Sequence, residues 1–320
     1  MSGIHLFTIA TASHVDIALA AMVSAKSHSP CTHAAIYLVD REPEVGEAAG
    51  VEILRISDEI QRIVSDGFPK DYSWAEVCFA LKPLLIEAEL DRGATTAAYI
   101  DSDVFFVSDI APTLETCSRH AVGLTPHYLR ARTPQQQPSE LTLLRAGLYN
   151  GGFVSTSACP NGRAFLSWWQ DRTRRLGYNL PRAGMCGDQR WLDLAPVLFE
   201  GTCVLRNEGL NVAYWNMDER PVTMSDDGRF RVGVTDMVFF HFSGFRRSHP
   251  EEVSVYAATR KPTAANQHLR ALCRTYLSAI EAAGEQSERV NQHAAPNAIA
   301  RWYQANAWRR GVRRLRSPRF

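Results

Sequence analysis

The stretch from Ala97 to Val107, reading AAYIDSDVFFV, sets two carboxylates one small residue apart between two apolar runs. Short apolar runs bounded in this way read as buried strands. In an open α/β sheet, ligands collect just beyond the carboxyl ends of the strands. Asp101 and Asp103, separated only by Ser102, can both turn there toward one hard cation. Left unpaired beside apolar strands, they would be costly. An Asp-x-Asp triplet arises about once by chance in a chain of this kind, and Asp is also a common turn former. The flanking strands, rather than the triplet, therefore carry the reading.

The rest of the N-terminal half repeats the pattern. Leu6 to Ala10 reads as a first strand, with Thr11 or Ser13 capping a helix that carries Val15, Leu19, Met22 and Val23. Ala35 to Val39, ending in Asp40, and Val51 to Ile56 read as further strands. Strand, helix, strand is the opening of a nucleotide-binding α/β fold. The first strand lacks a Gly-x-Gly-x-x-Gly turn, which counts against a dinucleotide cofactor. Ser73 opens a helix running to about Asp91, which contains Lys82-Pro83 and is closed by Gly93.

Ala121 to Thr125 is a short strand, Arg130 to Pro138 an exposed loop, and Ser139 to Arg145 a short helix. Leu148 to Val154 is a strand interrupted by Gly151 and Gly152. Paired glycines in a strand mark either a bulge or a close approach of backbone to a ligand. Arg163 to Leu176 is a helix whose Phe165, Trp168, Trp169 and Leu176 form a core stripe. Asp188 and Gln189 follow Gly187 at the start of a short helix, where Asp188 could be merely its N-cap. Val204 to Leu205 and Val212 to Trp215 are short strands, and Val238 to Phe242 leads through His241 to Gly244 and two arginines. From Pro262 the α/β pattern stops. Ala264 to Ala283 and Asn297 to Arg316 read as helices, the second with Ala305, Trp308, Val312 and Leu315 on one stripe.

Length and charge narrow the classes. A chain of 320 residues with 45% hydrophobic and 22% charged residues buries a large core. We divide it into an α/β unit over 1–260 and a helical extension over 261–320. A net charge of +1 excludes an electrostatic nucleic-acid binder, so no nucleic-acid partner is expected. Between Arg301 and Phe320, however, seven arginines stand with no acid. Such a basic amphipathic helix suits an anionic membrane surface. The seven cysteines (31, 78, 117, 159, 186, 203 and 273) include no Cys-x-x-Cys pair, which argues against a zinc site and a disulfide framework and for mostly buried, reduced thiols. Without a leader-like or membrane-spanning run, a cytoplasmic location is expected, with peripheral attachment through 297–320.

In this order the motifs Thr8-Ile9-Ala10-Thr11, Lys82, Asp101-Ser102-Asp103, Tyr149-Asn150-Gly151-Gly152, Asp188-Gln189 and His241-Phe242-Ser243-Gly244 with Arg247 resemble the nucleotide-sugar glycosyltransferases of the GT-A fold. The likeness is strongest to the retaining family 8 and its bacterial relatives, and runs from about Leu6 to Arg247. It implies a Rossmann-like, mixed but mainly parallel sheet flanked by helices, with a C-terminal helical extension. It also implies hexosyl transfer, with retention, from a nucleotide-diphosphate sugar (a UDP-sugar first) to a glycan, a lipid-linked acceptor or another hydroxyl.

By the same resemblance Thr8, Ala10 and Thr11 would lie against the nucleoside, and Asp40 would reach the base or ribose. Asp101, Asp103 and His241 would ligate one Mn²⁺ or Mg²⁺ on the diphosphate. Lys82, Ser102, Asn150, Gly151 and Gly152 would border the donor, with Asp188 and Gln189 catalytic: Gln189 or the leaving phosphate itself would face the reacting carbon, and Asp188 would hold sugar hydroxyls. Gly244 and Arg247 would hold phosphate, although the family usually carries Lys followed by Pro-Trp where this chain has Arg247-Ser248-His249. Two other readings compete. A sugar-nucleotide pyrophosphorylase would want a Gly-rich basic loop after the first strand, which Thr8 to Ser13 lacks. A non-catalytic membrane or nucleic-acid binder leaves the two aspartates and His241 without a purpose.

Overall fold

Residues 3–29, 33–257, 266–292 and 294–316 are described by the computed structural model. In chain order the first elements are β1 (Ile4–Ala10), α1 (Val15–His28), β2 (His33–Leu38), β3 (Val51–Arg55), α2 (Asp58–Gly67) and α3 (Trp74–Asp91). Next come β4 (Thr96–Ile100), β5 (Val104–Phe106), α4 (Ala111–Ser118), β6 (Val122–Pro126), α5 (Glu140–Ala146), β7 (Tyr149–Ser157) and α6 (Pro160–Leu176). The chain continues with β8 (Thr202–Val204), β9 (Val212–Ala213) and β10 (Phe239–His241), then α7 (Gln267–Ala282), α8 (Gly284–Asn291), α9 (Ala298–Ala305) and α10 (Ala307–Arg316).

The main sheet runs β8–β6–β7–β4–β1–β2–β3, with the two residues Glu47–Ala48 on its edge. The pairs β1–β2, β1–β4, β2–β3 and β6–β8 are parallel, whereas β7 lies antiparallel between β4 and β6. This is the mixed, mainly parallel α/β architecture expected. Its central strands are covered on both faces. Phe7 and Ile9 of β1 pack with α3 and α6 on one side, and Ile4, Leu6 and Ala10 pack with α1 and α4 on the other. The period of two thus divides one strand between two cores.

A second sheet has three strands, in the order β9–β10–β5. Its register places His241 opposite Val104, immediately after Asp103. Phe239 of β10 stacks on Phe153 of β7 at 5.8 Å and fastens this small sheet to the large one.

Helix ends follow local chemistry. Ser73 and Glu76 form a reciprocal capping box at the start of α3. The capping expected of Thr11 or Ser13 is absent: a 3₁₀ turn over 12–14 intervenes, and neither hydroxyl bonds a helix N–H. In α6, Phe165 and Trp169 are wholly buried and Trp168 partly so, but Leu176 at the helix end is 44% exposed. The expected start of α7 at Ala264, like Pro262 and Cys31, lies outside the described residues; α7 begins at Gln267, capped by Asn266. Of the described cysteines, all free, only Cys117 and Cys273 are buried; the other four are half-buried.

The helix expected over 297–316 is two helices, broken at Asn306. Ile299 and Trp302 of α9 enter the α3 core, and Leu272, Cys273 and Tyr276 of α7 enter the core around Phe240 and Phe242. Helix α10 is held to the body by Arg313, whose guanidinium donates to both carboxylate oxygens of the buried Glu76 at 2.8 and 2.6 Å. Arg310 stacks on Tyr303, which in turn stacks on Trp74. The stripe expected on this helix leaves Ala305, Trp308 and Val312 exposed, and the Leu315 side chain lies outside the described ones. No helix among the described residues is long and apolar enough to cross a membrane.

Candidate metal and ligand site

The carboxyl ends of β1, β4 and β10 open into a cleft of about 820 Å³. At its floor the Asp-x-Asp turn is clamped from two sides. The Asp101 N–H donates to the Gly152 carbonyl at 2.9 Å, and the Phe242 N–H donates to the Asp103 carbonyl at 2.8 Å. The turn is thus fixed by β7 and by the end of β10, and both carboxylates face His241.

Nε2 of His241 stands 3.1 Å from Oδ1 of Asp103 and 3.7 Å from Oδ2 of Asp101. Its Nδ1 lies 3.2 Å from Oδ1 of Asn211, so the ring is oriented from behind and Nε2 is left toward the carboxylates. One ligating atom from each of Asp101, Asp103 and His241 falls within 4.8 Å of the others. His241 is buried, while both aspartates keep part of their surface open to the cleft. Burial works against a charged His241, but attraction and hydrogen bonding to Asp103, then Asp101, outweigh it and raise its pKa above 6.5. Two carboxylate oxygens and one imidazole nitrogen form a donor set suited to Mn²⁺ or Mg²⁺. The residues present fit such an ion.

Lys82 lies beside this triad, almost fully buried. Its ammonium donates to the Gly151 carbonyl at 2.9 Å and pairs with Asp101 at 3.2 Å and Asp188 at 3.1 Å. The Tyr99 hydroxyl donates to Asp101 at 2.6 Å. Burial pushes the Asp188 carboxyl up to about 6, with Lys82 opposing that rise and Asp101 adding to it. Asp188 heads its 3₁₀ turn without capping it, and one of its carboxylate oxygens pairs with Lys82.

Gln189 is engaged on both ends. Its Oε1 accepts from Asn150 Nδ2 at 3.1 Å and from the Gly151 N–H at 3.0 Å, while its Nε2 donates to the Ala146 carbonyl at 2.9 Å. It therefore braces β7 against α5. The two glycines lie where β7 is irregular, its register against β6 jumping from Val154–Leu124 to Asn150–Thr125, and they are also closely approached by side chains of the site. A Cβ at Gly151 would stand 2.6 Å from Oδ2 of Asp188, and one at Gly152 would stand 2.6 Å from the His241 ring.

Ala10, Thr11, Ser102, Gly244 and Arg247 line the cleft. Gly244 turns there with a φ of +76°, and Arg247 at the rim pairs with Asp16 at 2.6 Å. Thr8 does not reach the cleft. It is wholly buried, because the same alternation that sends Leu6 into the α1 side sends Thr8 there too. Asp40 also stands back from the cleft and accepts from the Ala12 N–H at 2.9 Å, holding the turn after β1.

Three residues at the site carried no sequence signal. Asn211 owes its role to the parallel pairing of β9 with β10, and Tyr99 read only as part of a strand. His127 lies 3.3 Å from the Asn150 amide, and burial lowers its pKa to about 4, which keeps it neutral.

No family model matches the chain. The uncharacterized protein YfnF of Bacillus subtilis (strain 168) is 28% identical over 189 residues, which span 58% of this chain and 62% of YfnF, less than two thirds of its length. The uncharacterized protein YfnD of the same organism is 26% identical over 266 residues, spanning 77% of this chain and 79% of YfnD. Among solved structures, the galactosyltransferase LgtC in complex with donor and acceptor sugar analogs is similar at a TM-score of 0.49 and 15% identity, over 84% of this chain and 95% of LgtC. The glycosyltransferase GlyE of Streptococcus pneumoniae TIGR4 is similar at a TM-score of 0.46 and 11% identity, over 88% of this chain and 63% of GlyE.

Proposed function

We propose that this chain is a metal-dependent glycosyltransferase of the GT-A type, moving a sugar with retention from a nucleotide-diphosphate sugar to a hydroxyl acceptor. The observation that carries this reading is the convergence of Asp101, Asp103 and His241 on one point at the floor of the cleft, beside the buried Lys82–Asp188 pair. Cleaving the bond from sugar to diphosphate builds negative charge on the leaving phosphate and positive charge at the anomeric carbon. Asp101, Asp103 and His241 would hold a cation that, when bound, would supply Lewis-acid neutralisation of that leaving group.

The protein's own groups do the rest. Arg247 at the rim is placed to add charge-assisted hydrogen bonds to phosphate, once it exchanges Asp16 for the ligand. Asp188 can accept from sugar hydroxyls and stabilise an oxocarbenium-like state, while Lys82 keeps it ionised near neutral pH against the effect of burial. Gln189 holds Asn150 and Gly151 in place and serves as a positioning residue beside the reacting sugar.

UDP-sugars are the donors to test first, with a glycan or lipid-linked acceptor. The division at 260/261 and a cytoplasmic location belong to the same proposal. Among the described side chains of α10, attachment to an anionic membrane would rest on the outward Trp308, Val312 and Arg309, because Arg310 and Arg313 are held by the body. Purified protein should be stabilised against heat by one class among UDP-, GDP-, dTDP- and CMP-sugars, only with Mn²⁺ or Mg²⁺, and Asp101→Asn or Asp103→Asn should remove both stabilisation and transfer. Stabilisation that persists in excess chelator would overturn the metal-dependent reading.

A further inference from the structure

A second group of ligating side chains lies at the opposite edge of the main sheet, where β1 and β2 begin. His5 and His33 are register partners there, with ring centroids 4.5 Å apart. Glu89, near the end of α3 and wholly buried, faces both. Its Oε2 is 2.6 Å from Nδ1 of His5 and 3.8 Å from Nε2 of His33. One ligating atom from each of the three falls within 4.8 Å of the others.

The surroundings orient all three toward one point. The Tyr37 hydroxyl and Arg92 Nη1 donate to Oε1 of Glu89 at 2.5 and 3.0 Å, which leaves Oε2 to the histidines. Oε1 of Glu52 sits 3.3 Å from Nδ1 of His33 and turns Nε2 inward. That Nε2 is buried and has no hydrogen-bond partner. A carboxylate behind one imidazole, and donors behind the ligating carboxylate, are the supports that metal-bound ligands receive. A simple His5–Glu89 ion pair would leave Nε2 of His33 without a purpose, and orphaned buried polar atoms are uncommon.

We propose that His5, His33 and Glu89 form a second divalent-metal site that ties β1 and β2 to α3. Two imidazole nitrogens and one carboxylate oxygen favour Zn²⁺, with Co²⁺ as its spectroscopic substitute, over Mg²⁺. The site is remote from the cleft and does not depend on the glycosyltransferase reading.

The test uses untagged, metal-stripped full-length protein carrying Asp101→Asn and Asp103→Asn, so that the cleft site is silenced. Titration with Co²⁺ should give one equivalent bound, with visible bands of a low-coordinate nitrogen–oxygen site, and Zn²⁺ should displace Co²⁺ and raise the melting temperature. Adding His33→Ala should weaken binding by about 100-fold or more, beyond the loss that outer partners cause, and remove the melting shift while circular dichroism stays unchanged. His5→Gln, at the more exposed ligand, provides the same comparison if His33→Ala does not fold. The proposal is overturned if the Asp101/Asp103 variant binds neither ion, or binds it equally well after His33→Ala or His5→Gln.

Discussion

Substituting Gly152 by alanine tests whether the glycine pair exists to let the metal ligands meet. The new Cβ would lie 2.6 Å from Oδ1 of Asn150, 2.6 Å from Cε1 of His241 and 2.9 Å from Oδ2 of Asp101. None of these is a loose end. Asn150 Oδ1 holds the Gly152 N–H, His241 is buried with Nδ1 facing Asn211, and Asp101 is tied to Tyr99 and Lys82. Relief must come from parting the His241 ring from the Asp101 carboxylate. Such overpacking costs about 1–3 kcal/mol of stability. Misplacing a ligand set through its supports costs about 10–100-fold in metal affinity, which converts to about 1.4–2.7 kcal/mol. Gly151→Ala is the control, because its Cβ meets Oδ2 of Asp188 at 2.6 Å and Nζ of Lys82 at 3.4 Å instead. Calorimetric titration with Mn²⁺ should show Gly152→Ala binding at least about tenfold more weakly, with Gly151→Ala close to the parent protein. Mn²⁺ affinity in Gly152→Ala within about twofold of the parent would refute this role and leave the pair as part of the strand irregularity alone.

Protons should compete with metal at His241. Its raised folded pKa stabilises the metal-free protein below about pH 6.5, a contribution lost as pH rises through the folded value, so the Mn²⁺-induced melting shift should vanish by about pH 5.5 and grow above neutrality; equal shifts across that range would exclude His241 as a ligand. Arg313→Ala should cost about 2–4 kcal/mol, because buried Glu76 loses two charge-assisted bonds but keeps donors from Ser73 and Asn179. Although burial alone would raise the Glu76 pKa, hydrogen bonds from Arg313, then Ser73 and Asn179, hold it low. Its stabilisation is therefore present above the usual carboxylate range and lost on acidification, so the stability gap in urea between the parent protein and Arg313→Ala should narrow as pH falls through that range; a loss below about 0.5 kcal/mol at neutral pH would show the helix is not docked this way. Lys82→Met leaves Asp101 and Asp188 facing each other without their shared cation and should destabilise by about 3–5 kcal/mol in chelator; an unchanged urea midpoint would contradict the buried bridge.

Where local chemistry decided the structure, the sequence was readable. Apolar runs located β1, β2, β3, β4 and β5, and Ser73 marked the start of α3 because capping is written in neighbouring residues. The helix Asp58–Gly67 went unread, although Ser57 caps it and Asp58 and Glu59 suit its first turn, because it is short and buries only Ile60, Gln61 and Val64. The antiparallel insertion of β7 between β4 and β6 has no local signature, since strand direction is settled by packing between distant segments. Within the site, Asp101, Asp103, His241, Lys82 and Asp188 were named from motifs and do gather at one floor. Thr8 and Asp40 stand off it for reasons that only the sheet supplies: one faces the opposite core, and the other is consumed by the turn after β1. Trp308 and the arginines of α10 suggested a lipid surface, yet a guanidinium that meets a buried carboxylate gains more there than at a hydrated surface.

Charge explains why these groups form one machine. Three carboxylates (Asp101, Asp103 and Asp188) share the floor with one ammonium, Lys82. With His241 neutral and all three acids ionised, that leaves a net charge of −2. A nucleotide-diphosphate sugar brings further negative charge and would be repelled from such a floor. One divalent cation held by Asp101, Asp103 and His241 would cancel the excess, and on the proposed function the rim guanidinium of Arg247 would then be the attractive partner for phosphate. Lys82 cannot take the cation's place, because it is buried beneath Gly151 and already shared between Asp101 and Asp188. On the proposed reading, the pairing of β10 with β5, which brings a histidine to a carboxylate pair 138 residues earlier in the chain, would convert an acidic turn into a site able to accept an anionic donor.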